Sequence, residues 1–309
     1  MLSKTRIRKY SYRSGYEMDL LQLRYFQAVA RREHLSQVAA ELRIAQPSLS
    51  RAIARLEDDL GVPLFDRVGR GLRLNRFGVA FLRRVDRALR ELDDARRELG
   101  DAAGFDHGSI AIAAETLLTV TGMVTDFRAE NPGVDIRLHQ SDVATMARQL
   151  HTGEVDLCIA SQPLSGPNLR TRELLREEAL LGVPPGHRLA GRECVRPEEL
   201  AGEPFVTTRP GYWPRELTDQ MFAAAGLRPV YVCESDEPGA TGYLISAGLG
   251  VGLVPAYSLS TSAYLPGSWM RLDVPDCHRV LTLVWRADTY FSAAAERFTD
   301  FASEYFRRL

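Results

Sequence analysis

The residues with the clearest chemical purpose lie in "AQPSLSRAIARLEDDLG", residues 45–61. Arg51 and Arg55 stand four apart, while Leu49, Ile53, Leu56 and Leu60 step by 4, 3 and 4. That stepping is one stripe of an α-helix, so Ser48, Arg51 and Arg55 turn to the opposite, solvent side. Pro47 suits the first turn, where its missing N–H has no partner to lose, and Gly61 with Pro63 ends the helix. Such a face is either a solvated amphipathic surface or a cationic contact for a polyanion, and its neighbours decide between them.

Charge is sorted along the chain. Residues 1–100 hold 21 Lys+Arg against 13 Asp+Glu, a net of +8, and residues 101–309 hold 18 against 27, a net of −9. The formal total of −1 hides this asymmetry. A basic first third joined to an acidic remainder is the signature of a polyanion-binding module fused to one of different purpose. With 309 residues, 45% of them hydrophobic, the chain can bury several cores. No stretch approaches the roughly 18 apolar residues of a membrane span. "MLSKTRIRKYSYRSGYE" has charge but no apolar core behind it, so a cytoplasmic location is expected.

The elements around the arginines follow from periodicity. Leu23, Phe26 and Ala30, with Leu20 and Val29 alongside, give a first helix. Ser36 is the expected N-cap of a second, which runs through Ala39 and Ala40 to Leu42. About three residues then separate it from the Pro47 helix, the spacing of a helix-turn-helix. Gly69 and Gly71 flank Arg70 in a hairpin turn, and Leu72 and Leu74 alternate with Arg73, so a two-stranded wing is expected. In the charged helix that follows, Phe81, Val85, Ala88, Leu92, Ala95 and Leu99 form a strict seven-residue seam. The seam packs either on the chain's own core or on a partner helix. With little core nearby to cover, dimerisation is expected.

Past "DAAGFDHG" the pattern changes to alternating strands and helices: "SIAIAA", a helix over 116–130, "VDIRLHQ", "DVATMARQLHTG" and "VDLCIA". A second set comprises "EEALLGV", "EPFVTT", a helix over 214–225, "PVYVC", "GATGYLISAG" and "VGLVP". "RVLTLVW" and a helix over 289–308 close the chain. This alternation predicts βαβ units around a mostly parallel sheet, in two α/β lobes.

Basic end, helix-turn-helix spacing, wing and dimerising helix together make double-stranded DNA the polyanion. The major groove, about 12 Å wide, admits one helix, and the Pro47 helix offers polar and basic groups over its N-terminal half. The same residues carry a resemblance. The run from "LQLRYFQAVARREHLSQVAAEL" to "GRGLRLNRFG" resembles the N-terminal domain of LysR-type transcriptional regulators. "NPGVDIRLHQ", "LHTGEVDLCIA", "GHRLA", "EELAGEPFV" and "SAGLGVGLVP" resemble landmarks of that family's effector domain. Met18-Asp19-Leu20 is similar to the usual family start. Residues 1–17 are therefore either a basic N-terminal extension or an upstream-start artefact.

The resemblance implies a fold of the α/β class, with an N-terminal all-α winged helix-turn-helix domain over 18–75. A linker and dimerisation helix over 76–100 and an effector domain over 101–309 follow. The effector domain's two α/β lobes resemble type II periplasmic binding proteins, lobe I being 108–161 with 274–309 and lobe II 162–273. Gln46, Pro47, Ser48, Ser50 and Arg51 become the DNA-reading set, Gln pairing with adenine and Arg with guanine. Arg67, Arg70 and Arg73 would contact phosphate or the minor groove. Arg55 either contacts phosphate or pairs with Asp58 or Asp59. Thr116, Ser141, Thr207 and Ser235 are either effector contacts or simple caps and strand ends. Glu115 and Asp236 argue against a dianionic effector, and Arg209 for a negative group. A homodimer or homotetramer on a DNA operator, a small-molecule effector and RNA polymerase are the implied partners.

Other functions find less support. "GLGVG" at 248–252 lacks the spacing of a dinucleotide fingerprint and suits a tight helix-to-strand turn. No nucleophile elbow, phosphate-binding loop or zinc cluster appears, so no catalytic residue, metal ligand or cofactor is assigned. His34, His107, His139, His151, His187 and His278 are scattered, as are Cys158, Cys194, Cys233 and Cys277. A redox-sensing regulator using Cys194 and Cys233 is the alternative, ahead of an α/β enzyme or a solute-binding protein, which would need an export signal.

Overall fold

A computed structural model describes residues 18–69, 71–103, 108–261 and 266–308. The basic extension 1–17, Arg70 and His107 lie outside the described residues. The chain divides into two compact units, the first ending at Asp93 and the second beginning at Asp94.

The first unit contains α1 (Leu20–Arg32), α2 (Leu35–Glu41) and α3 (Gln46–Leu60), then the wing strands β1 (Phe65–Val68) and β2 (Gly71–Leu74). Its core gathers Phe26, Val29, Leu49, Ile53 and Leu56, with Phe26 edge-on to Phe65 at 5.6 Å between ring centroids. Each such side chain contributes about 1.5–3 kcal/mol through burial. Leu20, expected alongside the inner stripe, is 47% exposed. His34, not Ser36, caps α2, its ring nitrogen accepting the Gln37 N–H at 3.4 Å. Pro47 sits in the first turn of α3, and Gly61 closes that helix in the left-handed conformation. Two carboxylates seat the wing. Glu57 accepts the N–H groups of Leu64 and Phe65, and Glu33 that of Leu74.

The long helix α4 (Arg76–Ala102) starts at Asn75, whose side chain accepts the N–H groups of Phe77 and Gly78. Its seam divides. Val85 is buried and Phe81 partly so, both in the first unit's own core beside Leu89. For these two the expected partner helix is replaced by the chain's own core. Ala88, Leu92, Ala95 and Leu99 stay exposed, Leu99 by 71%. A straight helix drifts about 20° per heptad against a 3.5-residue repeat, so the stripe that meets the small core at Phe81 has rotated off it by Ala88. The boundary between the two compact units falls inside α4, between Asp93 and Asp94. Its last turns are bonded to the rest of the second unit through Arg97 to Asp156 and through Asp101 to the Tyr290 hydroxyl.

The second unit begins with β3 (Ser109–Ala114), α5 (Thr121–Glu130), β4 (Asp135–Gln140), α6 (Val143–Thr152), β5 (Leu157–Ala160) and β6 (Leu169–Val183). Next come β7 (Cys194–Val195), β8 (Pro204–Thr208), α7 (Trp213–Ala224), β9 (Val230–Ser235), α8 (Thr241–Ser246) and β10 (Gly252–Pro255). The unit closes with α9 (Ala256–Thr261), β11 (Ser268–Leu272), β12 (His278–Arg286) and α10 (Ala293–Arg307). The expected helix over 116–130 starts only at Thr121, its first residues forming a turn.

Eight strands form one mixed sheet in the order β4-β3-β5-β12-β6-β11-β7, with β10 also on β6, while β8 and β9 pair apart. The expectation of a mostly parallel sheet is corrected, since β6 runs antiparallel to β10, β11 and β12. The lobe boundary at 161–162 is corrected too. Residues 169–178 pair with β12 in lobe I, and from Ala179 the same strand pairs with β10 and then β11 in lobe II. The chain thus crosses between Glu178 and Ala179, inside a strand, and returns between β11 and β12. In "LRTRELLREE" the charges lie along a half-exposed strand and mask its register, which a bulge at Leu281/Thr282 shifts further.

Gly78 on α4 stands where a Cβ would lie 2.1 Å from the Leu64 carbonyl oxygen. Gly78→Ala is expected to destabilise the first unit by about 2–3 kcal/mol through overpacking. Urea unfolding followed by circular dichroism checks this, and an unchanged midpoint would refute it.

Candidate functional site

The surface built by α2, α3 and the wing is the first candidate. Gln46, Pro47, Ser48, Arg51, Arg55, Arg67 and Arg73 are exposed and Ser50 is half-buried. Gln46, Ser50 and Arg67 border one groove of about 250 Å³, with His34 and Ser36 from α2 and Gly69 and Gly71 from the wing turn. Arg51 donates to the Pro47 carbonyl at 3.3 Å, which holds its guanidinium along the outer face of α3. Among the described residues no ion pair joins Arg55 to Asp58 or Asp59, so that alternative is not formed. Arg73 lies opposite Asp66 in the wing register. Arg43 was not singled out in the sequence. It sits exposed in the turn between α2 and α3 with a left-handed backbone at φ 55°. Only its position within the short turn before Gln46 could have marked it.

The second candidate lies between the lobes. The parallel strands β3, β4 and β5 are followed at once by Glu115, Ser141 and Ser161, and β8 and β9 end at Thr208 and Ser235. In open α/β sheets the crevice outside such strand ends is where ligands bind. Glu237 of lobe II reaches across. Its carboxylate accepts from the Thr116 hydroxyl at 2.8 Å, from the Gln140 amide, and from the Gly239 N–H at 2.9 Å.

Of the four candidate effector contacts, only Thr116 borders the inter-lobe cavity of about 390 Å³. Ser141 gives its proton to Gln149 at 2.8 Å, within its own lobe. The Ser235 hydroxyl accepts the Glu237 N–H at 3.0 Å. Thr207 is buried, and its hydroxyl, like those of Thr208 and Thr241, has no hydrogen-bond partner among the described residues. Arg209 forms an ion pair with Asp236, which offsets the positive charge that favoured a negative effector group.

Buried polar groups absent from the sequence reading complete this region. Arg279 on β12 and Glu177 on β6 are register partners and form an ion pair with side chains only 2% and 6% exposed. The Arg279 Nε–H donates to Glu177 at 2.8 Å, and Glu177 also accepts the Tyr257 N–H. The one sequence signal was a charge opening the apolar run "RVLTLVW". Glu115 is 4% exposed and accepts the Ser161 N–H at 3.3 Å. Burial raises its carboxyl pKa above the ordinary range, against the smaller lowering effects of Ser161 and Arg279. Burial also pushes the Cys158 and Cys277 thiols up, to about 12 and about 11. All four cysteines are free, and Cys194 and Cys233 lie on strands of different sheets. Among the described residues no cluster of three His, Cys, Asp or Glu side chains could hold a metal, and no helix is long and apolar enough to cross a membrane.

Fold and sites define a winged helix-turn-helix module joined to a two-lobed α/β binding domain. Residues 20–79 match the family model "Bacterial regulatory helix-turn-helix protein, lysR family", and residues 103–307 match "LysR substrate binding domain". The chain belongs to the LysR family of transcriptional regulators. It is 34% identical to the HTH-type transcriptional regulator YybE of Bacillus subtilis, over 94% of this chain and 99% of that protein. The transcriptional dual regulator GltC of the same organism is 29% identical over 94% of this chain and 99% of its own length. In structure the chain is similar to full-length OxyR from Pseudomonas aeruginosa, with a TM-score of 0.70 at 22% identity, covering 94% and 95% of the two chains. Full-length CbnR complexed with its target DNA gives a TM-score of 0.65 at 22% identity, covering 93% and 99%.

The raised pKa of Glu115 carries a sign. A carboxyl whose folded pKa exceeds its unfolded value favours the folded state at low pH, and that contribution is lost as pH rises through the folded pKa. Glu115→Gln keeps the acceptor for Ser161 without the buried charge. It is expected to melt higher than the parent at neutral and alkaline pH, with the difference vanishing as pH falls toward 4.5, the ordinary carboxyl value. Parallel melting curves across that range would refute it.

Proposed function

We propose that the chain binds a DNA operator through the exposed N-terminal half of α3, with the wing on the flanking backbone, under the control of a small molecule held between the lobes. The observation that carries this is the groove shared by Gln46, Ser50 and Arg67, which sets the helix's polar start beside the wing. A helix end presents unpaired N–H groups to phosphate, and Gln46 and Arg51 stand where base edges would lie. Ser48, Arg55 and Arg73 supply further contacts, and Pro47 fixes the first turn that aims them. Arg70 is assigned to this set from its sequence position between Gly69 and Gly71. The protein acts by binding and not by catalysis, in the cytoplasm, with RNA polymerase as the recipient of the signal.

A second copy of the chain is the occupant proposed for the stripe of Ala88, Leu92, Ala95 and Leu99. Its support is that four apolar positions of one heptad seam stay exposed on a helix charged elsewhere. Two copies would set paired recognition helices on a pseudo-palindromic site, as a dimer or within a tetramer. The last turns of α4 are bonded to the effector domain. A ligand that alters the lobes would thereby bias the spacing or angle of the paired helices.

Arg51→Ala is expected to relax base preference at one position of each half-site, with a loss of about 1–3 kcal/mol. Arg73→Ala is expected to weaken binding to all sequences alike and to lower the salt slope by about 1. Footprinting and salt-dependent titration separate the two, and an Arg51→Ala pattern unchanged in affinity and sequence would overturn this placement of α3. Leu92→Glu combined with Leu99→Glu is expected to give a monomer by sedimentation, where the parent is a dimer or larger. A metabolite library screened by thermal shift on the full chain tests the cleft, since a ligand held there raises the melting point.

A further inference from the structure

Resting on the reading of the inter-lobe region as the effector site, we propose that the effector is an uncharged aromatic or alicyclic molecule whose polar group faces Arg279. The cavity of about 390 Å³ lies in the range of small-molecule pockets, roughly 300–1,000 Å³. The aromatic side chains of Trp213, Tyr243, Tyr257 and Tyr305 line its walls, and Leu118, Val254 and Pro255 supply aliphatic surface. Flat rings pack on such faces by stacking or edge contact.

The charge balance decides the class. Arg279 is the charged side chain among the described lining residues, and it is 3% exposed. Its Nε and Nη2 both donate to Glu177, and its Nη1 reaches the Thr119 hydroxyl at 3.4 Å. A guanidinium has five N–H groups, so two remain for an acceptor. Its positive charge, however, is already matched by Glu177. A carboxylate ligand would add a second negative charge there, near buried Glu115 and the Glu237 carboxylate across Thr116. A cationic ligand would meet Arg279 while Glu177 is occupied by Arg279 and the Tyr257 N–H. Either charge would be desolvated without a free counter-charge, which is costly. An amide or ketone oxygen takes the spare N–H groups at no such cost, while the Thr116 and Ser258 hydroxyls at the wall already donate to Glu237 and to the Pro255 carbonyl.

Three probes of equal size and different charge test this on the full-length protein: benzamide, benzoate and benzamidine. Benzamide is expected to raise the melting point and, by calorimetry, to bind at least about tenfold more tightly than the other two. Thr121→Trp and Leu118→Trp each place a bulky ring at the cavity's exposed rim, and both are expected to abolish the benzamide shift. Three results would overturn the proposal: benzoate or benzamidine binding as tightly as benzamide, a benzamide shift intact in both variants, or no shift at about 10 mM, a concentration suited to so small a ligand. If a charged hit from the metabolite screen is lost in the same variants, the ligand class is wrong and the cleft stands. If hits of every charge survive in both variants, the cleft reading itself falls.

Discussion

Two antiparallel strands carry the connection between the lobes of the effector domain, and one buried ion pair sits where they cross. Glu177 is the second-last residue of β6 before the strand leaves β12, and Arg279 is the second residue of β12 after the chain returns. Both charges are out of water, so their attraction is largely offset by desolvation. The pair adds little net stability over an apolar pair, yet losing one partner costs about 3–5 kcal/mol. Such a pair specifies geometry. Glu177 also holds the Tyr257 backbone of lobe II, and Arg279 reaches Thr119 of lobe I and lies 5.7 Å from the Trp213 ring. The cavity wall, the strand crossing and both lobes therefore share one electrostatic knot.

The DNA-binding unit solves a different problem. Three short helices and a two-stranded wing enclose a small core, and α3 must spend one face on that core to leave the other free. Leu49, Ile53 and Leu56 are buried, and the residues between them are turned outward. Orientation of the wing depends on the carboxylates of Glu57 and Glu33, which accept backbone N–H groups at the start of β1 and at the end of β2. Acidic residues in this basic unit thus serve as backbone acceptors. Asp86 instead accepts from the Gln27 side-chain amide at 2.6 Å and holds α1 against α4.

Much of this was legible from residue order. The amphipathic stripe of α3, the proline in its first turn, the glycine at its end and the wing all depend on contacts within a few residues, where local rules suffice. The seven-residue seam was legible as a pattern but not as an outcome. Periodicity cannot say how much core lies beside a helix, so Phe81 and Val85 went inward while Leu92 and Leu99 remained exposed. The 15-residue strand β6 was read short because its charged half alternates across a half-exposed face, which resembles a polar connection.

What the sequence determined by itself was the order of modules, the sorting of charge between them and the face that α3 presents, since each is set by composition or by neighbours three and four residues apart. What only the tertiary structure decided was which distant groups meet. Glu177 and Arg279 are 102 residues apart and Thr116 and Glu237 are 121 apart. Arg209 was cancelled by Asp236, and Ser141 was turned into its own lobe. Side-chain type states what a group can bond, but burial and the crossing of strands settle which partner reaches it first.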